Sequence, residues 1–579
     1  MIILGLNLFH ADSSACLVIN GKIIHSLEEE RFKRIKHYSG FPFEAIQKIL
    51  DEANIKIEDI DYITTNKSTF YNLIPKIKFN LLNFSKLPDT FKYIKERNFQ
   101  RTDIISQLSL KFGKLKKLKK VVDIPHHLSH ISYSYYLSGF DKCFGLTIDG
   151  SGDFSTSESF KMNFGKIRIF DKILFPNSLG ILYQAFTQFL GFRRYGDEYK
   201  VMALASFGKP KYENEIKKII SIDKKFNFKL NLNYFKHHKV GFNLFNETGY
   251  PIFNDLFTKE VENLLGIKSR YKDQELNEKY YDIAASVQSV FESVIFNKIN
   301  YLEKITNLDK ACFSGGCFFN SKMCGKIKSN SSLKDIYIGP NPGDAGGALG
   351  SALFLSNKLN DFNFNKYKKD KISYSINYND LSINKIYKKF DNLIDVEELS
   401  NNNEIVDYAS DLLKSNNIIA WFQSSSEWGP RALGRRSILA NPSNKSVVEE
   451  INLKLKKREN FRPFAPSICE DDFNDYFETN FNCSFMNYVV KVKNHIVNKI
   501  PAVVHFDGTS RAHSVSQGDN EIFYNLIKSF KKKTGISCIL NTSLNIDEPI
   551  CETAEDAILT FLKSNLDYLI INKCVIRKK

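Results

Sequence analysis

One short pattern is written twice into this chain, about 140 residues apart, and it sets the fold that can be built around it. In the first copy the apolar run over residues 1–10 reads as a buried strand, Ala11-Asp12-Ser13-Ser14 as a polar turn and 15–19 as a second strand. Asn20-Gly21 then signals a two-residue hairpin into a third strand over 23–27, because both residue types tolerate positive φ. The second copy has a strand over 143–148, a tight turn at Asp149-Gly150-Ser151-Gly152-Asp153 and a return strand over 157–160. The repetition predicts a duplicated half-domain of mixed α/β type. Between the copies Phe43, Ile46, Ile49, Leu50 and Ala53 recur at helical spacing, and the basic stretch from Lys67 to Lys120 reads as mainly helical. Further helices are expected over 179–190 and 282–291.

At 579 residues the chain exceeds what one hydrophobic core serves. From 359 to 403 it turns rich in Asn, Lys and Asp with little apolar density, which marks a linker. The expected domains are therefore 1–358 and 404–579, the second with its own strands at 418–422 and 568–571. Hydrophobic residues make up 43% and charged residues 25%, values that exclude disordered, collagen-like and low-complexity classes. The apolar N-terminus lacks a basic n-region, so a strand is expected there and not a secretory signal. No apolar run reaches the roughly 18 residues that a membrane span needs. The 10 cysteines include no C-x-x-C pair, which points to reduced thiols and a cytoplasmic location. The formal net charge of +16 suits anionic partners, and nucleic acid, nucleotides, acyl phosphates and membrane-borne glycans all fit it.

Three groups of residues can carry chemistry. Asp123-Ile124-Pro125-His126-His127-Leu128-Ser129-His130 opens a helix at Pro125, so His126 and His130 share one face at i and i+4 and can ligate one cation. No Glu follows the first His, so the zinc-peptidase pattern is missing; histidines satisfied by hydrogen bonds inside an apolar helix are the bland alternative. Asp149 and Asp344 each end an apolar strand beside glycines. Two His and two Asp form a mixed donor set suited to iron, manganese or zinc, although spacing alone does not bring the four together.

The glycine-rich segments Ser314-Gly315-Gly316-Cys317-Phe318-Phe319-Asn320 and Gly343-Asp344-Ala345-Gly346-Gly347 follow strands and precede helices. Backbone N–H groups at such junctions bind phosphate, which makes Gly315, Gly316, Asn320 and Gly346 candidates for nucleotide binding. The C-terminal part gathers guanidinium groups in segments framed by Gly and Pro: 427–437 with Arg431, 456–467 with Lys456 and Arg462, and 505–511 with Arg511, followed by 541–545 with Ser543. Arg forks grip phosphate or carboxylate bidentately and keep their charge.

These segments resemble the O-carbamoyltransferases of antibiotic and nodulation-factor biosynthesis, over nearly the whole chain. The resemblance is carried by His10-Ala11-Asp12-Ser13-Ser14-Ala15, His126-His127-Leu128-Ser129-His130, Ile148-Asp149-Gly150-Ser151-Gly152, Glu198-Tyr199-Lys200-Val201-Met202-Ala203-Leu204-Ala205 and the C-terminal segments above. It implies a duplicated ribonuclease-H-like (actin-like ATPase) N-terminal domain and a YrdC-like α/β C-terminal domain. It further implies that the C-terminal domain makes carbamoyl-adenylate from carbamoyl phosphate and ATP, with Mg(II), for transfer to a hydroxyl of a sugar, glycan or secondary metabolite. His126, His130, Asp149 and Asp344 would hold the metal, with Fe(II) as the implied ion and other divalent metals as alternatives. Lys456, Arg462, Arg511 and Ser543 would hold carbamoyl phosphate, Arg431 the nucleotide phosphates, and His10 with Asp12 would serve the acceptor hydroxyl. Arg435 stands where this family usually has Asn, His513 where Gln is usual, and Ser206-Phe207-Gly208 replaces Pro-Tyr-Gly. A tRNA-modifying carbamoyl or threonylcarbamoyl transferase is the alternative; nucleic acid is otherwise not expected as a partner, and a homodimer is left open.

Overall fold

A computed structural model describes residues 1–82, 103–240, 244–271, 274–359, 375, 380–479 and 481–579. Contacts divide the chain into one unit of Met1–Asn320 with Ile327–Asp370 and another of Ser321–Lys326 with Lys371–Lys579.

In the first unit β1 (Ile2–Asn7) pairs antiparallel with β2 (Ser14–Ile19), and β2 with β3 (Lys22–Glu28). Asn20 and Gly21 take φ of 48° and 73°, the left-handed pair that the expected hairpin requires. On the other side of β1, β4 (Tyr62–Thr65) and β5 (Lys120–Asp123) add in parallel, giving the order β3-β2-β1-β4-β5. A second sheet repeats this arrangement. β6 (Lys142–Gly152), β7 (Ser155–Asn163) and β8 (Lys166–Leu174) form an antiparallel meander. β9 (Lys310–Ser314) and β10 (Asp335–Ile338) then join parallel to β6, in the order β8-β7-β6-β9-β10. Strand order and direction match between the two sheets, so the duplication read from the two turns is present in the topology.

Three helices organise this unit: α1 (His126–Ser138) after β5, α2 (Glu278–Thr306) before β9, and α3 (Asp344–Lys358) after β10. α1 packs on α3 and on β6 and β9 of the second sheet, whereas α3 packs on β1, β2 and β4 of the first. Each helix thus leaves one sheet and covers the other. Both are buried over most of their length, which explains a sequence that is apolar or small on every face. They approach closely because a Cβ on Gly350 would stand 1.9 Å from the Ser129 carbonyl oxygen.

Several expected boundaries move. β1 stops at Asn7 and not at residue 10; Phe9 and Asp12 adopt φ of 57° and 62°, and this bend takes His10 and Asp12 out of the ladder. The tight turn falls at Asp153-Phe154, with φ of 50° and 68°, since β6 continues through a register irregularity between Ile148 and Gly152. The helix expected over 179–190 spans Leu179–Phe189, and the one over 282–291 is the central part of α2. In the basic stretch, helices run over Leu73–Leu82 and Ile104–Phe112, while 83–102 lie outside the described residues.

The second unit is built on an eight-stranded mixed sheet. In chain order its strands are β11 (Ile394–Glu398), β12 (Ile419–Phe422), β13 (Arg436–Ala440) and β14 (Ala465–Cys469). A smaller sheet of β15 (Phe477–Glu478), β16 (Val489–Val492) and β17 (Thr509–Arg511) intervenes. β18 (His513–Val515), β19 (Cys538–Ser543), β20 (Tyr568–Ile571) and β21 (Cys574–Lys578) complete the large sheet, in the order β11-β21-β20-β12-β13-β19-β14-β18. Helices α4 (Asn402–Lys414) and α5 (Glu521–Thr534) pack on each other, and their Leu413, Phe523 and Ile527 share a core with Trp421, Leu439, Ile539 and Ile570. Of the expected linker, 360–374 and 376–379 lie outside the described residues; the rest is not featureless. A helix over Asp380–Lys389 and the edge strand β11 occupy it, and β11 pairs with β21. Ser321–Lys326, expected in the N-terminal domain, groups with the second unit.

Gly350→Val should cost about 3 kcal/mol of folding stability, because the added carbons have nowhere to go between α1 and α3. Thermal unfolding checks this against Gly518→Ala, where a Cβ meets nothing within 4 Å and no change is expected.

Candidate metal centre and guanidinium cluster

The first turns of α1 and α3 deliver the histidines and Asp344 to one point, and the end of β6 delivers Asp149. His126, His130, Asp149 and Asp344 each offer a ligand atom, and these atoms all lie within 4.8 Å of one another. His130 Nε2 is 3.0 Å from Asp149 Oδ2 and 3.2 Å from Asp344 Oδ1. His126 Nε2 is 3.6 Å and 3.5 Å from the same two oxygens, and the two imidazole nitrogens are 3.0 Å apart. The two histidines named from their spacing and the two aspartates named from their strand ends therefore converge.

Each carboxylate spends one oxygen on the protein and turns the other inward. Asp149 Oδ1 accepts from the Gly150 N–H at 2.7 Å, and Asp344 Oδ2 lies 3.1 Å from His10 Nδ1. The inward oxygens, Asp149 Oδ2 and Asp344 Oδ1, are buried and accept no hydrogen bond. Buried carboxylate oxygens in that state are costly unless a cation neutralises them. Burial works against charge on His130, yet the adjacent carboxylates of Asp149 and Asp344 outweigh burial and raise its ring to about 9. Burial likewise pushes Asp149 up, but His126 and His130 overcome it and hold this carboxyl well below the usual range. The pocket favours positive charge, and a divalent ion with mixed N and O ligands fits it.

The surroundings fix this geometry. The His126 N–H donates to Asp153 Oδ2 at 2.9 Å, and the same oxygen accepts from Ser68 N–H at 2.8 Å. A Cβ at Gly152 would sit 2.1 Å from the His126 ring, so only glycine lets β6 run beneath the imidazole. His127 is not a ligand: its Nδ1 lies 2.8 Å from Thr147 Oγ1, and burial lowers its ring to about 3. Asp153 was readable only as part of a turn, and its support of α1 becomes visible through the fold. His10 reaches the centre through Asp344, whereas Asp12 turns to His37, 2.7 Å away.

The nucleotide candidates have other neighbours in this structure. A Cβ at Gly315 would stand 2.3 Å from the Ile148 carbonyl oxygen, one at Gly316 3.0 Å from Asp149 Oδ1, and one at Gly346 2.3 Å from the Asn341 carbonyl oxygen. Asn320 exchanges hydrogen bonds of 2.9 and 3.0 Å with Gln288 of α2.

In the second unit Arg431, Arg462 and Arg511 form a guanidinium cluster. Burial first, then Arg511, lowers Arg431 to about 9; burial first, then Arg462, lowers Arg511 to about 10. Asn487 accepts from Arg431 Nη1 at 2.5 Å, a contact that the sequence did not single out, and the buried Arg511 Nε has no hydrogen-bond partner. Crowded cations with an unspent donor are what an anion site requires. Lys456 and Ser543 meet each other: the ammonium donates to the Ser543 carbonyl at 2.7 Å, to its hydroxyl at 3.2 Å and to Asn545 Oδ1 at 2.9 Å.

Fold and clusters together define a two-unit α/β protein with a cation-type cage in one unit and an anion-type cluster in the other. Residues 2–353 match the family described as Carbamoyltransferase N-terminus, and 410–578 match Carbamoyltransferase C-terminus. The chain belongs to this carbamoyltransferase family and is a transferase enzyme. It is 31% identical over 579 residues to the nodulation protein NolNO of Sinorhizobium fredii, covering 99% of this chain and 80% of that one. It is 33% identical over 460 residues to NolO of Bradyrhizobium diazoefficiens, covering 78% and 79%. An uncharacterised Synechocystis sp. protein is 31% identical over 618 residues, covering 100% of this chain and 96% of its own. Among solved structures the chain is similar to that of T. kodakarensis HypF, at 13% identity and a TM-score of 0.32, covering 64% of this chain and 49% of that one. No described helix is long and apolar enough to cross a membrane.

His130→Ala and Asp344→Asn should each reduce the metal bound per chain at least about tenfold, by elemental analysis after gel filtration. His10→Ala keeps all four ligands but frees Asp344, and should weaken binding by about 10–100-fold. Addition of Fe(II), Mn(II) or Zn(II) should raise the melting temperature of the wild type and leave that of His130→Ala unmoved.

Proposed function

We propose that the protein is an ATP-dependent O-carbamoyltransferase that activates the carbamoyl group in its second unit and transfers it in the first. In this reading the first unit is an actin-like pair of ribonuclease-H-like halves and the second is YrdC-like. The observation that carries the activation step is the cluster of Arg431, Arg462 and Arg511 with its unspent Nε donor, which suits substrates rich in phosphate oxygens.

Carbamoyl phosphate would first lose its phosphate to water, leaving carbamate. A carbamate oxygen then attacks the α-phosphorus of MgATP, forming carbamoyl-adenylate and releasing pyrophosphate. Arg462, Arg511, Lys456 and Ser543 would hold carbamoyl phosphate, and Arg431 the nucleotide phosphates. In the first unit the acceptor hydroxyl attacks the carbamoyl carbon and AMP leaves. The proton passes to His10, which adjoins the cage through Asp344, with Asp12 two residues on. Bound at His126, His130, Asp149 and Asp344, a divalent ion, Fe(II) in this reading, would stabilise negative charge as a Lewis acid. Gly315, Gly316, Asn320 and Gly346 would border the nucleotide. Keeping both steps in one chain limits loss of a water-labile adenylate. The acceptor is a hydroxylated small molecule or glycan, and the reaction is placed in the cytoplasm.

Pyrophosphate should appear from ATP only when carbamoyl phosphate is present, and Arg462→Ala should slow its release by about 100-fold. Equal release without carbamoyl phosphate would refute the activation step. Incubation with ATP, labelled carbamoyl phosphate and bulk tRNA should leave the tRNA unlabelled; label in tRNA would replace this reading with the tRNA-modifying one.

A further inference from the structure

One helix of the first unit, Leu73–Leu82 in the crossover from β4 to β5, turns its apolar face outward. Its other side is anchored. Phe79 meets the rings of Phe154 and Phe175 edge-on at 5.5 and 5.4 Å. In the turn before it, the Ser68 N–H donates to Asp153 Oδ2 at 2.8 Å, Asn72 Nδ2 to the Asp153 carbonyl at 3.0 Å and the Tyr71 hydroxyl to Glu158 at 3.2 Å. With Phe79 turned inward, positions 73, 74, 77 and 81 fall together on the opposite side. Leu73, Ile74, Ile77 and Leu81 are all 44–79% exposed, and Phe70 of the preceding turn is 80% exposed. Among the described residues, five of the 21 exposed large apolar side chains therefore lie within residues 70–81. Apolar residues scattered over a surface do not produce such a stripe.

The charge around the stripe has one sign. No Asp or Glu occurs from Tyr62 to Pro88, while Lys67, Lys76, Lys78 and Lys86 do. Across 67–120, twelve Lys and two Arg stand against Asp89, Glu96 and Asp103, a net +11 out of the chain's +16. Lys116, Lys117 and Lys119 pair with Glu58, Asp59 and Asp61. Lys76 turns back to the Thr69 carbonyl at 3.0 Å, whereas Lys78, at the rim of the stripe, is exposed.

We propose that this stripe is a membrane-docking surface and that its occupant is an anionic lipid bilayer. Apolar side chains that project from an anchored helix can enter the headgroup boundary, and lysines at their rim meet lipid phosphates. The pairing of stripe and charge discriminates between occupants. A nucleic-acid backbone would engage the lysines and leave the leucine and isoleucine side chains in water. A neutral protein surface would gain nothing from the acid-free flank. The same segment bonds Asp153, whose Oδ2 also accepts from the His126 N–H. Docking therefore holds the first unit at a bilayer by the segment that supports the metal centre. The proposal goes beyond the carbamoyl-transfer reading and does not depend on it.

Vesicle co-sedimentation of the full chain tests this with no substrate or nucleotide present. The probes are vesicles of phosphatidylcholine alone and of phosphatidylcholine with phosphatidylglycerol in equal parts. Wild-type protein should bind the anionic vesicles at least about tenfold more tightly than the neutral ones, and less tightly in high salt. The combined substitution Ile74→Ser, Ile77→Ser and Leu81→Ser should weaken that binding at least about tenfold, with an unchanged melting temperature. Lys78→Glu keeps the stripe and should weaken it about fivefold. No pelleting with anionic vesicles, equal pelleting with neutral ones, or wild-type binding by either variant would overturn the proposal. A lower melting temperature in the triple variant would do the same, by showing the stripe covered within the chain. So would a wild-type dimer in sedimentation equilibrium that the triple variant dissociates, because the occupant would then be a second copy.

Discussion

Two buried carboxylates cannot face each other across two imidazoles without positive charge between them, and the first unit is arranged around that demand. Asp149 comes from a strand of the second sheet and Asp344 from the helix that follows that sheet, whereas His126 and His130 come from the helix that follows the first sheet. Their meeting requires α1 and α3 to lie against each other, which requires small residues where they touch. It also requires β6 to bend at the register break near Gly152 and Asp153 to hold the start of α1. The burial of α1 follows from the same arrangement, since a helix caught between a sheet and a second helix has no face left for water.

The second unit poses the opposite electrostatic problem. Arg431 and Arg511 are both weakened as cations by burial and by neighbouring guanidinium groups. Such an arrangement loses stability in the absence of an anion and gains it when one binds, so affinity is stored in the folded protein. Lys456 differs: its three contacts to Ser543 and Asn545 keep it occupied, and a ligand would have to share it.

Much of the site was legible because its chemistry depends on residue type at fixed spacing. The i and i+4 placement of His126 and His130 survives any helix, and the two acidic turns announced the duplicated strand order. Less legible were features set by backbone sign and by packing. Phe9, Asp12 and Phe154 adopt positive φ without being glycine, so the ends of β1 and β6 could not be placed from residue type. β11 has only one strand neighbour and four exposed residues out of five, so its sequence reads as polar linker. The Asp12–His37 and Tyr195–Phe253 contacts join residues separated by 25 or more positions, and no local pattern encodes them.

The exchange of helices between the two sheets makes each half depend on the other. A single half, standing alone, would carry a helix whose sheet is missing and a sheet that lacks the helix α1 or α3 now packed on it. It would hold two histidines or two carboxylate-bearing termini, never a complete set. Two copies of such a half, joined as a symmetric pair, would satisfy both sheets and build two cages related by the twofold axis. Within one chain the two halves can differ, and here α1 contributes imidazoles and α3 a carboxylate. The asymmetry of the present cage is something a single chain with two unlike halves allows and a symmetric pair of identical halves does not.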